Sequence, residues 1–119
     1  MLTLSSNVKV FLCTQPTDMR FGFDGLSGLV RSFMGQNPLS GHLFVFRGKR
    51  ADKLKILYWD RHGLALWYKH LQAGTFRFPN LTEQNSLEVD HATLMMILEG
   101  IDLQSIKRRK RFSLARQIA

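Results

Sequence analysis

The chain has 119 residues, of which 45% are hydrophobic and 22% are charged, values that are typical of one folded domain and exclude a disordered chain. No apolar run approaches the roughly 18 residues that a membrane helix needs, and the N-terminus has no basic start followed by an apolar core, so we expect no signal peptide. Cys13 is the only cysteine, which excludes an internal disulfide and favours a reducing compartment. We therefore expect a cytoplasmic protein.

The net charge of +8 is concentrated in two segments. Residues 47–77 carry eight Lys and Arg residues against two acidic residues, and residues 107–119 carry six basic residues and no acidic residue. Between them, residues 78–106 carry five acidic residues and no Lys or Arg. Positive charge gathered into patches in this way favours the binding of polyanions.

The first part of the chain shows a strand, a helix and a second strand. Residues 7–14 alternate in polarity and then run apolar, which predicts a strand. Asp24 precedes apolar residues at helical spacing and is the predicted N-cap of a helix. His42–Arg47 is the next apolar run, and the three elements together are consistent with a parallel βαβ crossover. The apolar face of this helix comprises Leu26, Leu29, Val30 and Phe33.

Residues 44–69 contain three apolar runs separated by two polar turns, which predicts a β-meander. The second turn, Asp60–Gly63, predicts a three-residue hairpin loop flanked by Asp60 and Leu64. In that register Lys55 lies opposite Lys69. One face of the hairpin then carries Lys53, Lys55, Leu57, Trp59, Trp67 and Lys69. The other face, which is the predicted core face, carries Leu54, Ile56, Tyr58, Leu64, Leu66 and Tyr68.

The remaining residues predict a strand, a helix and a tail. Residues 74–78 read as a short fifth strand that Pro79 ends, and residues 80–86 read as a polar loop. Asp90 is the predicted N-cap of a second helix, and Gly100 lies where a C-terminal glycine is expected. The apolar face of this helix comprises Leu94, Ile97, Leu98 and Ile101.

These elements predict an α+β fold with a single domain. We expect residues 1–106 to form a small, mostly antiparallel sheet, with the β-meander at its centre and two helices packed on it. Residues 107–119 are expected to form a basic tail, because five consecutive basic residues repel one another.

Ordered sequence blocks point to a known family. PTDMR at residues 16–20 is followed by GFDGL at residues 22–26, and further blocks are SGHLFVF at 40–46, KILYWD at 55–60, LWYK at 66–69 and LEG at 98–100. Over residues 8–103 the chain resembles the TnpB-type accessory proteins, or second open reading frame products, of the insertion-sequence-sixty-six family of bacterial transposable elements. The motif loop of this resemblance contains Pro16, Thr17, Asp18, Met19, Arg20, Gly22, Asp24 and Gly25.

The resemblance implies a small protein encoded beside a separate, larger transposase of the acidic-triad type. Such a protein assists transposition of its element. The implied partners are the DNA of the element ends and the transposase that the same element encodes. We expect no cofactor and no membrane partner.

Basic residues of the meander and of the tail are the predicted nucleic-acid contacts, because Lys and Arg neutralise phosphates. Trp59 and Trp67 could stack on unpaired bases or contact a protein partner. Alternatively, both tryptophans pack under the second helix while the lysines reach around them to solvent, and the tail is solvated or docks on an acidic partner. The predicted nucleic-acid-binding residues are Arg47, Lys49, Arg50, Lys53, Lys55, Lys69, Lys107, Arg108, Arg109, Lys110 and Arg111.

A catalytic role is the least favoured interpretation. Asp18, Asp24 and Asp60 could suggest a two-metal nuclease, but positions in a turn, at an N-cap and beside a hairpin loop explain them better. The four histidines and one cysteine lack ligand spacing, so we expect no metal site. The predicted function is a non-enzymatic accessory factor in DNA transposition that binds element DNA, the transposase or both. The alternatives are an adaptor for the transposase without direct DNA binding and, less favoured, a small metal-dependent nuclease.

Overall fold

The computed structural model describes residues 5–80 and 83–100. The basic tail and Ile101, which we assigned to the second helix, lie outside these ranges. The elements are, in chain order, β1 (Val10–Cys13), α1 (Phe23–Ser32), β2 (Leu43–Arg47), β3 (Lys53–Asp60), β4 (Gly63–His70), β5 (Ser86–Val89) and α2 (His91–Leu98).

The five strands form one sheet in the order β4-β3-β2-β1-β5. Strands β1 and β2 are parallel, with Phe11 beside Phe44, so α1 is the crossover of a βαβ unit, as the sequence indicated. The other three pairs are antiparallel. The prediction of an α+β domain with a mostly antiparallel sheet and two helices is confirmed.

Both faces of the sheet are covered, which gives the domain two apolar cores. On one face, Leu26 and Val30 of α1 pack with Phe44 and Phe46 of β2. On the other face, α2 and the chain after β4 pack against the alternate residues, among them Val45. Strands β1 and β2 are therefore continuous apolar runs instead of alternating ones. Burying a large side chain such as Phe44 stabilises the fold by about 1.5–3 kcal/mol.

The register predicted for the β3–β4 hairpin is wrong by one residue. The loop has two residues, Arg61 and His62, and Asp60 pairs with Gly63. Arg61 has a φ of 52°, the left-handed conformation that such tight loops use. The prediction assumed that only one face of the hairpin was buried. Because both faces carry apolar side chains into a core, the apolar pattern does not fix the register.

The corrected register moves every β4 side chain to the opposite face. Tyr68 pairs with Lys55, and Trp67 pairs with Ile56. Leu64 and Leu66 pack against the α1 core, whereas Trp67 packs against the α2 core.

The predicted strand at residues 74–78 is absent, since residues 71–80 contain no strand. The backbone N–H groups of Leu71 and Phe76 instead donate to the carbonyl oxygens of Asp52 and Ala51, at 2.8 and 2.7 Å, which docks this segment on the turn between β2 and β3. The fifth strand is β5, whose first residue, Ser86, ends the segment that we predicted as a polar loop.

Of the two predicted helix N-caps, one is confirmed and the other is wrong. Asp90 is the N-cap of α2, and its Oδ1 accepts a hydrogen bond from the Thr93 N–H at 2.7 Å, as predicted. Asp24 is not a cap, because α1 begins two residues earlier than predicted and its N-cap is Gly22, which offers no side chain. Asp24 lies in the first turn, where its negative charge favours the helix dipole.

Candidate functional site

Of the predicted motif loop, Asp24 and Gly25 lie in α1 instead of in a loop. Residues 16–20, called the motif loop from here on, lie between β1 and α1 and are fastened to the sheet. Thr17 is buried, and its N–H donates to the Arg47 carbonyl oxygen at 2.9 Å. The Phe21 N–H donates to the Asp18 carbonyl oxygen at 3.1 Å and closes a turn. The loop is therefore held at the end of β2 instead of projecting into solvent.

Lys55 of β3 supplies the second attachment of this loop. Its Nζ donates hydrogen bonds to the carbonyl oxygens of Met19, at 2.8 Å, and Phe21, at 2.9 Å. The same ammonium lies 4.8 Å from the centroid of the Tyr68 ring, a cation–π contact. The residue is only 7% exposed. We predicted Lys55 as a phosphate contact opposite Lys69, but it is an interior residue that holds the motif loop.

Asp18 and Arg20 form an ion pair within the loop. Arg20 Nη2 lies 2.7 Å from Asp18 Oδ2, and Arg20 Nε lies 3.0 Å from Oδ1. These hydrogen bonds lower the pKa of Asp18 to about 2, and the Arg20 N–H, which also donates to Oδ1, adds to the effect. A carboxylate that is paired in this way orders the loop, which agrees with the structural role that we assigned to it.

The turn between β2 and β3 carries the exposed cations Lys49 and Arg50. The Gly48 N–H donates to the Lys53 carbonyl oxygen, and the Ala51 N–H donates to the Gly48 carbonyl oxygen. A Cβ added at Gly48 would lie 2.8 Å from Met19 Cγ. The turn is thus internally bonded and is in direct contact with the motif loop.

An open groove of about 430 Å³ lies between the motif loop and this turn. Its two carboxylates each have a cationic or titratable neighbour, because Asp18 pairs with Arg20 and Asp52 Oδ2 lies 3.2 Å from His70 Nε2. In the part of the chain that the structure describes, Lys49, Arg50 and Lys53 make no ion pair. The groove is lined by Pro16, Thr17, Asp18, Met19, Gly48, Lys49, Arg50, Asp52 and Lys53.

Arg47, another predicted nucleic-acid contact, is turned away from this groove. Its Nη1 donates to the Phe76 carbonyl oxygen at 3.0 Å, and its guanidinium carbon lies 4.1 Å from the centroid of the Phe78 ring. Burial and the neighbouring charge of Arg77 lower its pKa. Arg47 therefore holds the chain after β4 against the sheet and is not an open phosphate contact.

The two tryptophans do not share a face, contrary to the prediction. Trp59 pairs with Leu64 on the α1 side, whereas Trp67 pairs with Ile56 and packs against the α2 core. Trp67 thus follows the alternative interpretation, in which it packs under the second helix. Lys69 is exposed on the α2 side, opposite Leu54, and lies outside the groove.

Three aromatic residues that were not predicted as site residues are exposed in the structure. Phe21 is 38% exposed, Phe23 47% and Tyr68 50%. Tyr68 was assigned to the core because of the one-residue error in register. The signal that could have found Phe21 and Phe23 is their position beside the glycines of the motif, outside any apolar run.

Neither a metal centre nor a membrane segment emerges from residues 5–80 and 83–100. Over these ranges, His, Cys, Asp and Glu side chains do not gather in groups of three that could hold a metal ion. No helix within the same ranges is both long and apolar enough to cross a membrane.

Comparison with known proteins identifies the family. The model of the IS66 Orf2-like proteins matches residues 8–108. The uncharacterized protein y4jC of Sinorhizobium fredii is 36% identical over 109 residues, which cover 92% of this chain and 92% of that protein. The uncharacterized protein y4hO of the same organism is 40% identical over 102 residues, which cover 86% of this chain and 88% of that protein. No solved structure matches the chain. The chain belongs to the IS66 Orf2-like protein family.

Proposed function

We propose that this protein is a non-enzymatic accessory factor in DNA transposition, and that it binds DNA in the groove between the motif loop and the β2–β3 turn. The observation that carries the proposal is the convergence of Lys49, Arg50 and Lys53 on the loop that contains the family motif. The cations come from the β2–β3 turn, and the motif loop forms the opposite side of the same groove.

The charge of this surface suits a phosphate backbone. Lys49 and Arg50 are exposed, and Lys53 is half-buried. None of the three is neutralised by a carboxylate of the described chain. Each cation that contacts a phosphate releases condensed counterions, which makes the affinity depend on salt. Hydrogen bonds of Gly48 and Ala51 fix the backbone that carries Lys49 and Arg50, which reduces the backbone entropy that binding costs.

The tail would add further backbone contacts. We treat residues 107–119 as a basic extension of a domain that spans residues 1–106, and Lys107–Arg111 as contacts without sequence preference. A protein that ends at residue 106 is expected to bind DNA more weakly and with a flatter salt dependence. An unchanged affinity would show that the tail does not contact DNA, and the groove would remain the proposed site.

The groove is tested by changing Lys49, Arg50 and Lys53 together to Gln and measuring DNA affinity by fluorescence anisotropy. The matched control changes Lys9, Arg31 and Arg61 to Gln, which removes the same charge from exposed positions outside the groove. We expect the groove variant to lose at least about tenfold in affinity at moderate salt, since it loses up to three phosphate contacts. The control should lose much less. Equal losses would mean that diffuse charge, and not the groove, binds DNA.

A second candidate function is an adaptor for the transposase of the same element. The exposed Phe21, Phe23, Leu39 and Tyr68 favour it, because exposed large apolar side chains commonly mark protein contacts. Co-purification with the transposase in high salt, together with no DNA binding at low salt, would support the adaptor over the DNA-binding factor.

A further inference from the structure

Three aromatic side chains stand out in the described part of the chain, where the other aromatic residues are buried or partly buried. Phe44, Phe46 and Phe76 are fully buried. Phe21, Phe23 and Tyr68, by contrast, are between 38% and 50% exposed. Large apolar side chains are usually buried, because burial removes their surface from water. We call Phe21, Phe23 and Tyr68 the aromatic patch.

Lys55 joins two members of the aromatic patch. Its Nζ lies 2.9 Å from the Phe21 carbonyl oxygen and 4.8 Å from the centroid of the Tyr68 ring. Phe21 and Tyr68 are therefore neighbours, although 46 residues separate them in the sequence. Phe23 follows two residues after Phe21, at the start of α1.

The Phe21 ring is held in place by the helix that follows it. A Cβ added at Gly25 would lie 2.9 Å from Phe21 Cγ and 3.0 Å from Phe21 Cβ. The glycine of the family motif thus leaves room for this side chain against α1. The helix therefore supports the base of the Phe21 side chain, and the residue still keeps over a third of its surface open to solvent.

The aromatic patch is continuous with the basic groove. Lys53 lines the groove and lies on the same face of β3 as Lys55, whose cross-strand neighbour is Tyr68. On the other side of the patch, Phe21 directly follows Arg20, the partner of the groove residue Asp18. Basic residues and exposed aromatic rings are therefore adjacent on the α1 side of the sheet.

We propose that the DNA bound at this surface is single-stranded, with unpaired bases stacked on the aromatic patch and phosphates at Lys49, Arg50 and Lys53. The inference rests on the proposed function and names the form of DNA that the site takes. In a duplex, the faces of the bases are covered by their neighbours, so open rings on a protein surface gain nothing from them. In a single strand, each base offers a free face for stacking, whatever its identity.

The basic residues beside the aromatic patch favour single-stranded DNA over an apolar protein segment as the ligand. An apolar segment would satisfy Phe21, Phe23 and Tyr68 but would leave Lys49, Arg50 and Lys53 beside it without an anion. A single strand satisfies both, because it alternates an anionic backbone with apolar, planar bases. The combination of the two kinds of side chain on one surface therefore favours single-stranded DNA.

The test compares an unstructured single-stranded oligonucleotide with a duplex of the same length at fixed salt. The variant changes Phe21 and Tyr68 to Leu, which keeps apolar bulk but removes the rings. The control changes the exposed Leu39 to Ala. We expect the wild-type protein to prefer the single strand. The Leu variant should lose about tenfold or more per ring on the single strand, because each lost ring removes one base-stacking contact, and keep its duplex affinity.

Three results separate failure of this inference from failure of the proposed function. Equal affinity of the wild-type protein for both forms, with no effect of the Leu changes, would overturn the inference and leave DNA binding intact. No affinity for either form would overturn both. Loss of transposase binding in the Leu variant, with single-strand affinity unchanged, would assign the aromatic patch to a protein partner. Thermal unfolding of each variant confirms that it still folds, and a variant with Phe21 and Tyr68 changed to Trp should retain single-strand binding.

Discussion

The ammonium of Lys55 lies 2.8 Å from the carbonyl oxygen of Met19, so a lysine within β3 fixes the loop that carries the family motif. The contact joins the sheet to a segment 36 residues earlier in the sequence. It places the motif loop beside the basic turn, and that arrangement creates the groove. The structure of the candidate site therefore depends on an interior lysine.

Changing Lys55 to Met should destabilise the protein. Methionine keeps much of the length and apolar bulk but leaves the Met19 and Phe21 carbonyl oxygens without their charged donor. Hydrogen bonds to a charged group contribute about 1.5–3 kcal/mol, so we expect a loss of that order in the free energy of unfolding, measured in urea. Changing the exposed Lys69 to Met is the control and should alter it by less than about 0.5 kcal/mol. Similar losses in both variants would contradict the role of Lys55.

The Asp18 carboxyl should titrate at unusually low pH. Its pKa is lowered from 3.8 to about 2, chiefly by the hydrogen bonds from Arg20. A lowered pKa in the folded state means that the ion pair stabilises the loop above the ordinary pKa and ceases to do so as the pH falls towards 2. Carboxyl NMR should show a midpoint near 2, and changing Arg20 to Gln should move the midpoint up towards the ordinary value. A midpoint near 3.8 in the wild-type protein would show that the pair does not form in solution.

Two aspartates near helix N-termini should differ in their effect on stability. Asp90 accepts the capping hydrogen bond of α2, whereas Asp24 accepts none and acts only through its charge. Changing Asp90 to Ala should therefore lower the melting temperature by several degrees, and changing Asp24 to Ala should lower it by less. Calorimetry of the two variants measures this difference. A larger effect at Asp24 would restore the original prediction that it caps α1.

Two glycines of α1 should respond in opposite directions to alanine. A Cβ at Gly28 meets no atom within 4 Å, so Gly28→Ala should raise the free energy of unfolding by about 0.5–1 kcal/mol through helix propensity. A Cβ at Gly25 would collide with Phe21, and overpacking of this kind costs about 1–3 kcal/mol.

Gly25→Ala should therefore lower the stability, and adding Phe21→Ala should recover part of the loss. Urea unfolding of the three variants and of the wild-type protein forms the comparison. A gain in stability at Gly25 as large as that at Gly28 would mean that the Phe21 ring does not rest against this helix.

The elements were predictable where apolar patterns were long. The neighbouring strands β2 and β3 and both helices follow from such patterns, and so does the βαβ crossover. The hairpin register was not predictable, because β4 is apolar on both faces and either pairing buries large side chains. Strand β5 has only four residues, and its pairing with β1 comes from the tertiary fold.

The position of some candidate-site residues could likewise be predicted from the sequence, and that of others could not. Lys49 and Arg50 lie in a polar turn, and turns lie on the surface, so their exposure could be expected from sequence alone. The interior position of Lys55 could not, because it depends on carbonyl oxygens of a loop that is remote in the sequence. The same holds for Arg47, whose partners Phe76 and Phe78 approach it only in the folded chain.

The salt dependence of DNA binding tests the groove most directly. The logarithm of the affinity is measured against the logarithm of salt concentration for the wild-type protein and for the variant in which Lys49, Arg50 and Lys53 are Gln. We expect the slope to be shallower in the variant by about 2–3, since each lost phosphate contact removes about 0.7–0.9 from it. An unchanged slope would contradict the assignment of these three residues to the DNA interface.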